Sequence, residues 1–154
     1  MSSAGGGEVW FYHLERRDLA AALADLLEKS LSRGWRVLVR GTDPARLDAL
    51  DAALWTVKDE SFIPHGRDGP TAARQPVLLT AAPEGNPNGA KALFLVDGAP
   101  PQHLQGFERV CILFDGRDEA ALATARGHWK AVKASGAAAS YWAETEGGRW
   151  EKKA

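Results

Sequence analysis

Residues 9–40 read VWFYHLERRDLAAALADLLEKSLSRGWRVLVR, and this stretch decides the fold. Its short apolar and aromatic run at 9–13 predicts a strand. Leucines at helical spacing then predict a helix over 18–33, and Gly34 follows where a left-handed C-terminal cap belongs. The β-branched run at 35–40 predicts a second strand. The three elements form a β-α-β unit, which we expect to be parallel and right-handed.

Strands and helices continue to alternate along the rest of the chain. Asp43 and Pro44 are typical of an N-cap and a first helical position, and the helix that they begin is predicted to run to about Leu54. Near-continuous apolar runs predict further strands that are covered on both faces. Further strands are predicted at 77–80, 92–96 and 110–114, with an edge strand at 138–142. A helix is predicted over 118–133. The sequence therefore predicts an α/β fold, a single-domain, open and mostly parallel sheet with helices on both faces.

Length and composition agree with one domain. The chain has 154 residues, of which 25% are charged and 45% hydrophobic, enough for a single core. We expect a disordered N-terminal lead over 1–8, one α/β domain over 9–146 and a polar, frayed C-terminal tail over 147–154. The formal net charge of −1 does not by itself indicate a protein that binds nucleic acid.

Cysteine content and hydropathy indicate the cell compartment. The chain has one cysteine, Cys111, which excludes an internal disulfide framework and fits a reducing interior. No run of about 18 apolar residues is present, and the N-terminus lacks the basic start and apolar core of a signal peptide. We therefore expect a cytoplasmic protein with no membrane partner.

Motifs for nucleotide binding, metal binding and covalent catalysis are missing from the sequence. The predicted turn after the first strand, 13–16, has none of the glycines that let a backbone approach phosphate, so the fold is expected to be Rossmann-like without a phosphate-binding loop. The four histidines are scattered, and no G-x-S-x-G elbow occurs. Cys111 lies within an apolar run, which favours a buried and inert thiol. We therefore predict no catalytic residues, no metal and no cofactor.

Two aspartates leave one enzymatic alternative open. Asp97 and Asp115 each follow an apolar strand, where open α/β sheets bind their ligands. Two carboxylates at that edge could hold Mg²⁺ in an enzyme that depends on nucleotide or magnesium. Each is also followed by glycine, and Asp-Gly is ordinary turn chemistry. The lack of a phosphate loop favours the turn interpretation.

The last predicted helix carries a more distinctive pattern. Arg126, Trp129, Lys130 and Lys133 recur at three- and four-residue spacing and therefore share one face. An indole flanked by cations could bind a peptide with an apolar end and acidic residues, or could stack a base of single-stranded nucleic acid. Alternatively, Trp129 packs inward and the cations complement the helix C-terminus.

A second candidate surface is the non-periodic segment 55–64, which contains Trp55, Phe62, Ile63 and Pro64. Large apolar side chains are rare in loops. They either fold back onto the core or form a patch that binds another protein.

These two segments resemble one protein family. Asp51-Ala52-Ala53-Leu54-Trp55, followed by Glu60-Ser61-Phe62-Ile63-Pro64-His65, resembles the D-x-x-L-W and S-F-[IV]-P-H signature of the chi subunit of bacterial DNA polymerase III. The aromatic first strand, the leucine helix with the strand after Gly34, and the Ala125–Ala131 stretch resemble the same family in order and spacing. The likeness covers nearly all of residues 9–142.

The resemblance implies an accessory subunit of the replicative polymerase with no catalytic chemistry of its own. In that family the chi subunit sits in the clamp-loader assembly and binds the acidic, phenylalanine-ended C-terminal tail of single-stranded-DNA-binding protein. It also binds a psi subunit, which tethers it to the clamp loader. For this chain the resemblance implies a place in the bacterial, nucleoid-associated replisome and a mainly indirect relation to nucleic acid.

The family's binding positions map onto residues of this chain. Arg126 and Lys130 match positions that contact the tail, and Trp129 stands where the family often has tyrosine. Leu122 occupies a position that is usually basic, for which Lys133 is expected to compensate. Trp55 and Phe62, with the adjoining Ile63 and Pro64, match the surface associated with psi or another clamp-loader component.

Overall fold

The computed structural model describes residues 8–56 and 63–154, which form eight strands and three α-helices. In chain order these are β1 (Glu8–Leu14), α1 (Leu19–Ser32), β2 (Val37–Arg40), α2 (Pro44–Thr56), β3 (His65–Arg67), β4 (Val77–Thr80), β5 (Ala92–Leu95), β6 (Arg109–Asp115), α3 (Glu119–Ala134), β7 (Ala139–Glu144) and β8 (Trp150–Lys152). A short 3-10 turn, Ala72–Arg74, joins β3 to β4. Within the described ranges, no helix is both long and apolar enough to cross a bilayer.

All the strands belong to one sheet, in the order β3-β4-β2-β5-β6-β1-β7-β8. Every neighbouring pair is parallel except β7 and β8, which are antiparallel. Strand β1 lies inside the sheet, where Phe11 is opposite Ile112 of β6 and Tyr141 of β7. The predicted fold class, an open and mostly parallel α/β sheet, is confirmed.

The core is divided between the two faces of the sheet. Alternate residues of each strand point to opposite faces, so Tyr12 belongs to one apolar cluster and Phe11 to the other. The leucines of α1 and α2 cover the Tyr12 face, and Ala125 and Val132 of α3 cover the Phe11 face. Helices therefore pack on both faces, and α3 is the helix on the Phe11 face.

Capping residues place the helix ends where the sequence predicts them. The Asp18 side chain accepts a hydrogen bond from the Ala21 backbone N–H, and Asp118 caps α3 in the same way. Gly34 follows α1 with φ of +82°, the left-handed conformation that a side chain disfavours. Asp43 accepts from the Ala45 N–H at the start of α2.

The structure corrects the predicted ends of the sheet. Residues 139–144 form β7, but this is not an edge strand, because β8 pairs with it on the outside. The prediction of a frayed tail over 147–154 is wrong at 150–152, where Trp150 packs against the core. Strand β3, at 65–67, was not among the predicted strands. The predicted N-terminal lead lies outside the described residues except for Glu8, which begins β1.

Candidate functional site

The predicted α3 surface, formed by Arg126, Trp129, Lys130 and Lys133, is exposed at its three cations and half-buried at its indole. The ring of Trp129 meets the edge of Phe11 at 5.2 Å and that of Tyr141 at 5.8 Å between centroids. Part of the indole is therefore fixed against the core, and the rest faces solvent. The Trp129 indole is thus neither fully exposed nor fully packed inward.

The cations of the α3 surface are available to a ligand. The Lys133 ammonium lies 5.6 Å from the centroid of the Trp129 ring. No carboxylate of the described residues lies within ion-pair distance of Arg126, Lys130 or Lys133. An apolar wall beside unpaired cations can bind a ligand that has both an apolar group and carboxylates.

A polar cluster behind Trp129 was not predicted from the sequence. The Tyr141 hydroxyl lies 2.7 Å from Nδ1 of His13, and Nε2 of His13 lies 3.4 Å from a carboxylate oxygen of Glu15. Burial raises the pKa of Tyr141, and the positive charge of Arg126 opposes this rise. The α3 surface is therefore continuous with a hydroxyl group that strand β7 supplies.

Of the second predicted surface, the structure describes Trp55, Ile63 and Pro64. Trp55 at the end of α2 is 48% exposed, with its ring 4.1 Å from that of His65. Pro64 is half-buried, whereas Ile63 is 2% exposed and belongs to the core. Ile63 therefore does not line this surface, and Phe62 lies outside the described residues. Trp55 and Pro64 are the described residues of this prediction that keep exposed surface.

The first of the two candidate metal ligands, Asp97, is occupied by contacts within the chain. Its carboxylate accepts hydrogen bonds from the Thr42 hydroxyl at 2.8 Å, the Asp43 backbone N–H at 3.0 Å and the Arg46 guanidinium at 2.6 Å. Burial would raise the pKa of Asp97, but the bonds from Thr42 and Arg46 hold it below its ordinary value. The side chain therefore fixes the start of α2.

The second candidate ligand, Asp115, is likewise held by its own turn. One of its carboxylate oxygens accepts from both the backbone N–H and the guanidinium of Arg117, at 2.9 Å each. These hydrogen bonds lower the pKa of Asp115. Asp97 and Asp115 both line a cavity of about 490 Å³ at the carboxyl ends of the strands. Within the described ranges, no group of three or more histidine, cysteine or carboxylate side chains could hold a metal ion.

The turn between β1 and α1 shows how this fold works without a phosphate loop. The backbone N–H groups of three successive residues, 15–17, donate to one carboxylate oxygen of Glu144 at 2.8 to 3.2 Å. Successive N–H groups of this kind form the concavity in which related folds bind phosphate. Here the end of β7 supplies the anion, and Arg17 donates to the same carboxylate at 2.6 Å. This pairing joins positions 127 apart in the chain, and no local sequence pattern predicts it.

Comparison with known proteins agrees with this architecture. Residues 7–140 match the family described as DNA polymerase III chi subunit, HolC. The chain is also 28% identical over 112 residues to a probable DNA polymerase III subunit chi of Rickettsia prowazekii (strain Madrid E). That alignment covers 68% of this chain and 67% of the relative. The chain therefore belongs to the family of DNA polymerase III chi subunits.

Proposed function

We propose that this chain is a non-catalytic subunit that links the clamp loader of DNA polymerase III to single-stranded-DNA-binding protein. In this proposal the α3 surface grips the acidic, phenylalanine-ended C-terminal tail of that protein. The observation that carries the proposal is the half-exposed Trp129, flanked by cations that have no carboxylate partner among the described residues. Membership of the chi family supports the same role.

The chemistry of the tail suits this surface. The phenylalanine ring packs against the exposed part of Trp129, and the terminal carboxylate is bound bidentately by the Arg126 guanidinium. Lys130 and Lys133 attract the acidic residues before it. A disordered tail loses entropy when it binds, so each contact is expected to be of micromolar affinity. Several tails on one DNA-coated oligomer then raise the effective concentration.

Calorimetric titration with a short acidic peptide ending in Pro-Phe tests this proposal. We expect Arg126→Ala to weaken binding by about 1–3 kcal/mol, because a charged hydrogen bond is lost. Arg74→Ala is the matched control, since Arg74 is an exposed cation beside β3, at the opposite end of the sheet from β8. Binding of Arg126→Ala with wild-type affinity would show that the pocket is wrongly placed.

The exposed indole of Trp55 supports a second contact, with psi or another clamp-loader component. Exposed large aromatic side chains are typical of binding hot spots, and Pro64 directly precedes His65, whose ring lies against that of Trp55. We expect Trp55→Ala and Phe62→Ala to lose recovery of clamp-loader subunits in a pull-down, whereas Arg126→Ala retains it. Equal recovery by correctly folded Trp55→Ala, Phe62→Ala and wild-type proteins would contradict this assignment.

A further inference from the structure

A second cleft, of about 250 Å³, lies on the face of the sheet that α1 covers, opposite to α3. It is formed where the C-terminal end of α1 meets β1, β6 and the β7–β8 edge. Indoles and cations that line it include Trp10, Trp142, Trp150, Lys29, Arg33 and Arg109. We call it the Trp–Arg cleft. The binding surfaces proposed above use none of these residues.

Guanidinium groups lie over indole rings at this cleft. The guanidinium carbon of Arg109 lies 4.1 Å from the centroid of the Trp10 ring, and that of Arg33 lies 4.4 Å from Trp35. Arg109 is also 5.6 Å from the Trp35 ring, so the two stacked pairs are adjacent. Trp10 stacks in turn on Trp142 at 5.1 Å. The result is a series of flat groups held in a fixed orientation.

The cations of the cleft have no ion-pair partner in the part of the chain that the structure describes. Among residues 8–56 and 63–154, no carboxylate lies within ion-pair distance of Lys29, Arg33 or Arg109. The nearby Glu108 pairs with Lys91 at 3.6 Å, and Glu8 accepts the indole N–H of Trp10. The cleft therefore carries an excess of positive charge, although the formal net charge of the whole chain is −1.

Helix capping accounts for only part of this charge. Lys29 and Arg33 lie at the C-terminal end of α1, where cations complement the helix dipole. Arg109 begins β6 and complements no helix end. Helix capping therefore does not explain why Arg109 lies between two indoles, whereas a bound ligand would.

We propose that the Trp–Arg cleft binds single-stranded nucleic acid directly. A guanidinium stacked on an indole presents its N–H edge to a phosphate, and the exposed outer plane of Arg33 can stack a base. An acidic peptide could place at most its aromatic end on these planes, whereas every nucleotide of a strand carries both a flat base and a phosphate, so the geometry favours nucleic acid. The α3 surface on the other face of the sheet remains free for the tail.

Fluorescence titration with an oligothymidylate of about 15 nucleotides tests the proposal. We expect the oligonucleotide to quench intrinsic tryptophan fluorescence at low salt. The double substitution Arg33→Ala with Arg109→Ala is expected to weaken binding about tenfold and to reduce the slope of log K against log salt by about 1.4, the effect of two lost phosphate contacts. Arg74→Ala is the matched control and is expected to bind as wild type.

Charge and stacking are separated by a second variant. Arg33→Lys with Arg109→Lys keeps both charges but loses the planar fork, so it is expected to keep the salt slope and lose most of the quenching. Circular dichroism verifies that each variant is folded. The proposal is overturned if the folded alanine double variant binds the oligonucleotide as tightly as wild type, or if wild type does not bind it at low salt. The proposal is also overturned if polyglutamate binds to the cleft with the same sensitivity to these variants while oligothymidylate does not bind. The acidic Pro-Phe peptide, titrated against the alanine double variant, reports separately on the α3 surface.

Discussion

Trp129 serves both the core and the surface, and this double role determines what the α3 surface can do. Its contacts with Phe11 and Tyr141 fix the indole in one orientation before any ligand arrives. A preorganised aromatic wall loses little conformational entropy on binding, so more of the contact energy appears as affinity. The flexible cations Arg126, Lys130 and Lys133 then need to be ordered only at their ends.

Glu144 is the residue on which the β1–α1 turn depends. Its side chain is fully buried, and its partners are three backbone N–H groups and the guanidinium of Arg17, which also pairs with Asp25. Burial would raise the pKa of this carboxyl, but the hydrogen bonds from the Arg16 backbone and the Arg17 side chain lower it to about 2 from an ordinary 4.5. The ionised carboxylate therefore stabilises the folded state.

We expect Glu144→Gln to lower the free energy of unfolding by about 2 kcal/mol at pH 7, because the half-buried Arg17 and three backbone N–H groups lose a charged partner. The unfolded chain takes up the proton at higher pH than the folded chain. The stabilisation is therefore fully present above pH 4.5 and is lost as the pH falls toward 2. Urea unfolding at a series of pH values measures this. A gap between the two proteins that stays constant down to pH 2 would contradict the assignment.

Elements with a strong local pattern could be predicted from the sequence, and those that depend on tertiary pairing could not. The helix over 18–33 was predicted because its leucine spacing and the following Gly34 are local signals. Strands β3 and β8 have three residues each, too few to show a period, and are held by pairing with β4 and β7.

The same contrast holds for the candidate site. The residues of the α3 surface lie within eight positions of one helix, so their spacing brought them together at once. The contacts of Tyr141 with His13 and of Glu144 with Arg17 join positions more than 120 apart in sequence. Only the strand order, which places β7 beside β1, creates these pairs.

Strand β8 extends the sheet and closes one end of the core on the α1 side. Its residue Trp150 meets the Tyr12 ring at 4.8 Å between centroids, and the Arg17 guanidinium lies 5.6 Å from the indole. An element predicted as a frayed tail thus covers both β1 and the loop that follows it. We infer that β8 contributes to the stability of the whole sheet.

We expect Trp150→Ala to lower the free energy of unfolding by about 2 kcal/mol, less than for a fully buried tryptophan because the indole is half-exposed. Lys152→Ala on the same strand is the control, since that side chain is exposed and its loss should change stability by less than about 0.5 kcal/mol. Urea unfolding followed by circular dichroism measures both. Equal stability of Trp150→Ala and wild type would show that β8 is peripheral.

At the scale of the whole molecule, the sheet separates surfaces that we assign to different partners. The α3 surface lies on the face that contains Phe11, and the Trp–Arg cleft lies on the face that contains Tyr12. Trp55 lies at the end of α2, on the cleft side of the sheet. Because the sheet lies between the two faces, we expect a ligand on one face to leave the other accessible.

Cys111 reports on the integrity of this layer as a whole. It lies in β6, between β5 and β1, and is 2% exposed. Burial raises the pKa of its thiol to about 12, so only about one thiol in ten thousand is ionised at pH 8. Cys111 lies among the residues that line the Trp–Arg cleft, but it is almost fully covered by its neighbours, so we expect no reaction with an aromatic disulfide reagent under native conditions.

With increasing urea, the rate of thiol labelling at Cys111 is expected to rise in parallel with global unfolding measured by circular dichroism. A Cys111→Ser variant provides the zero-signal control. A labelling rate that is appreciable without urea and nearly independent of it would mean that β6 becomes exposed by local opening. The two faces would then not be separated by a rigid sheet, and ligand binding on one face could alter binding on the other.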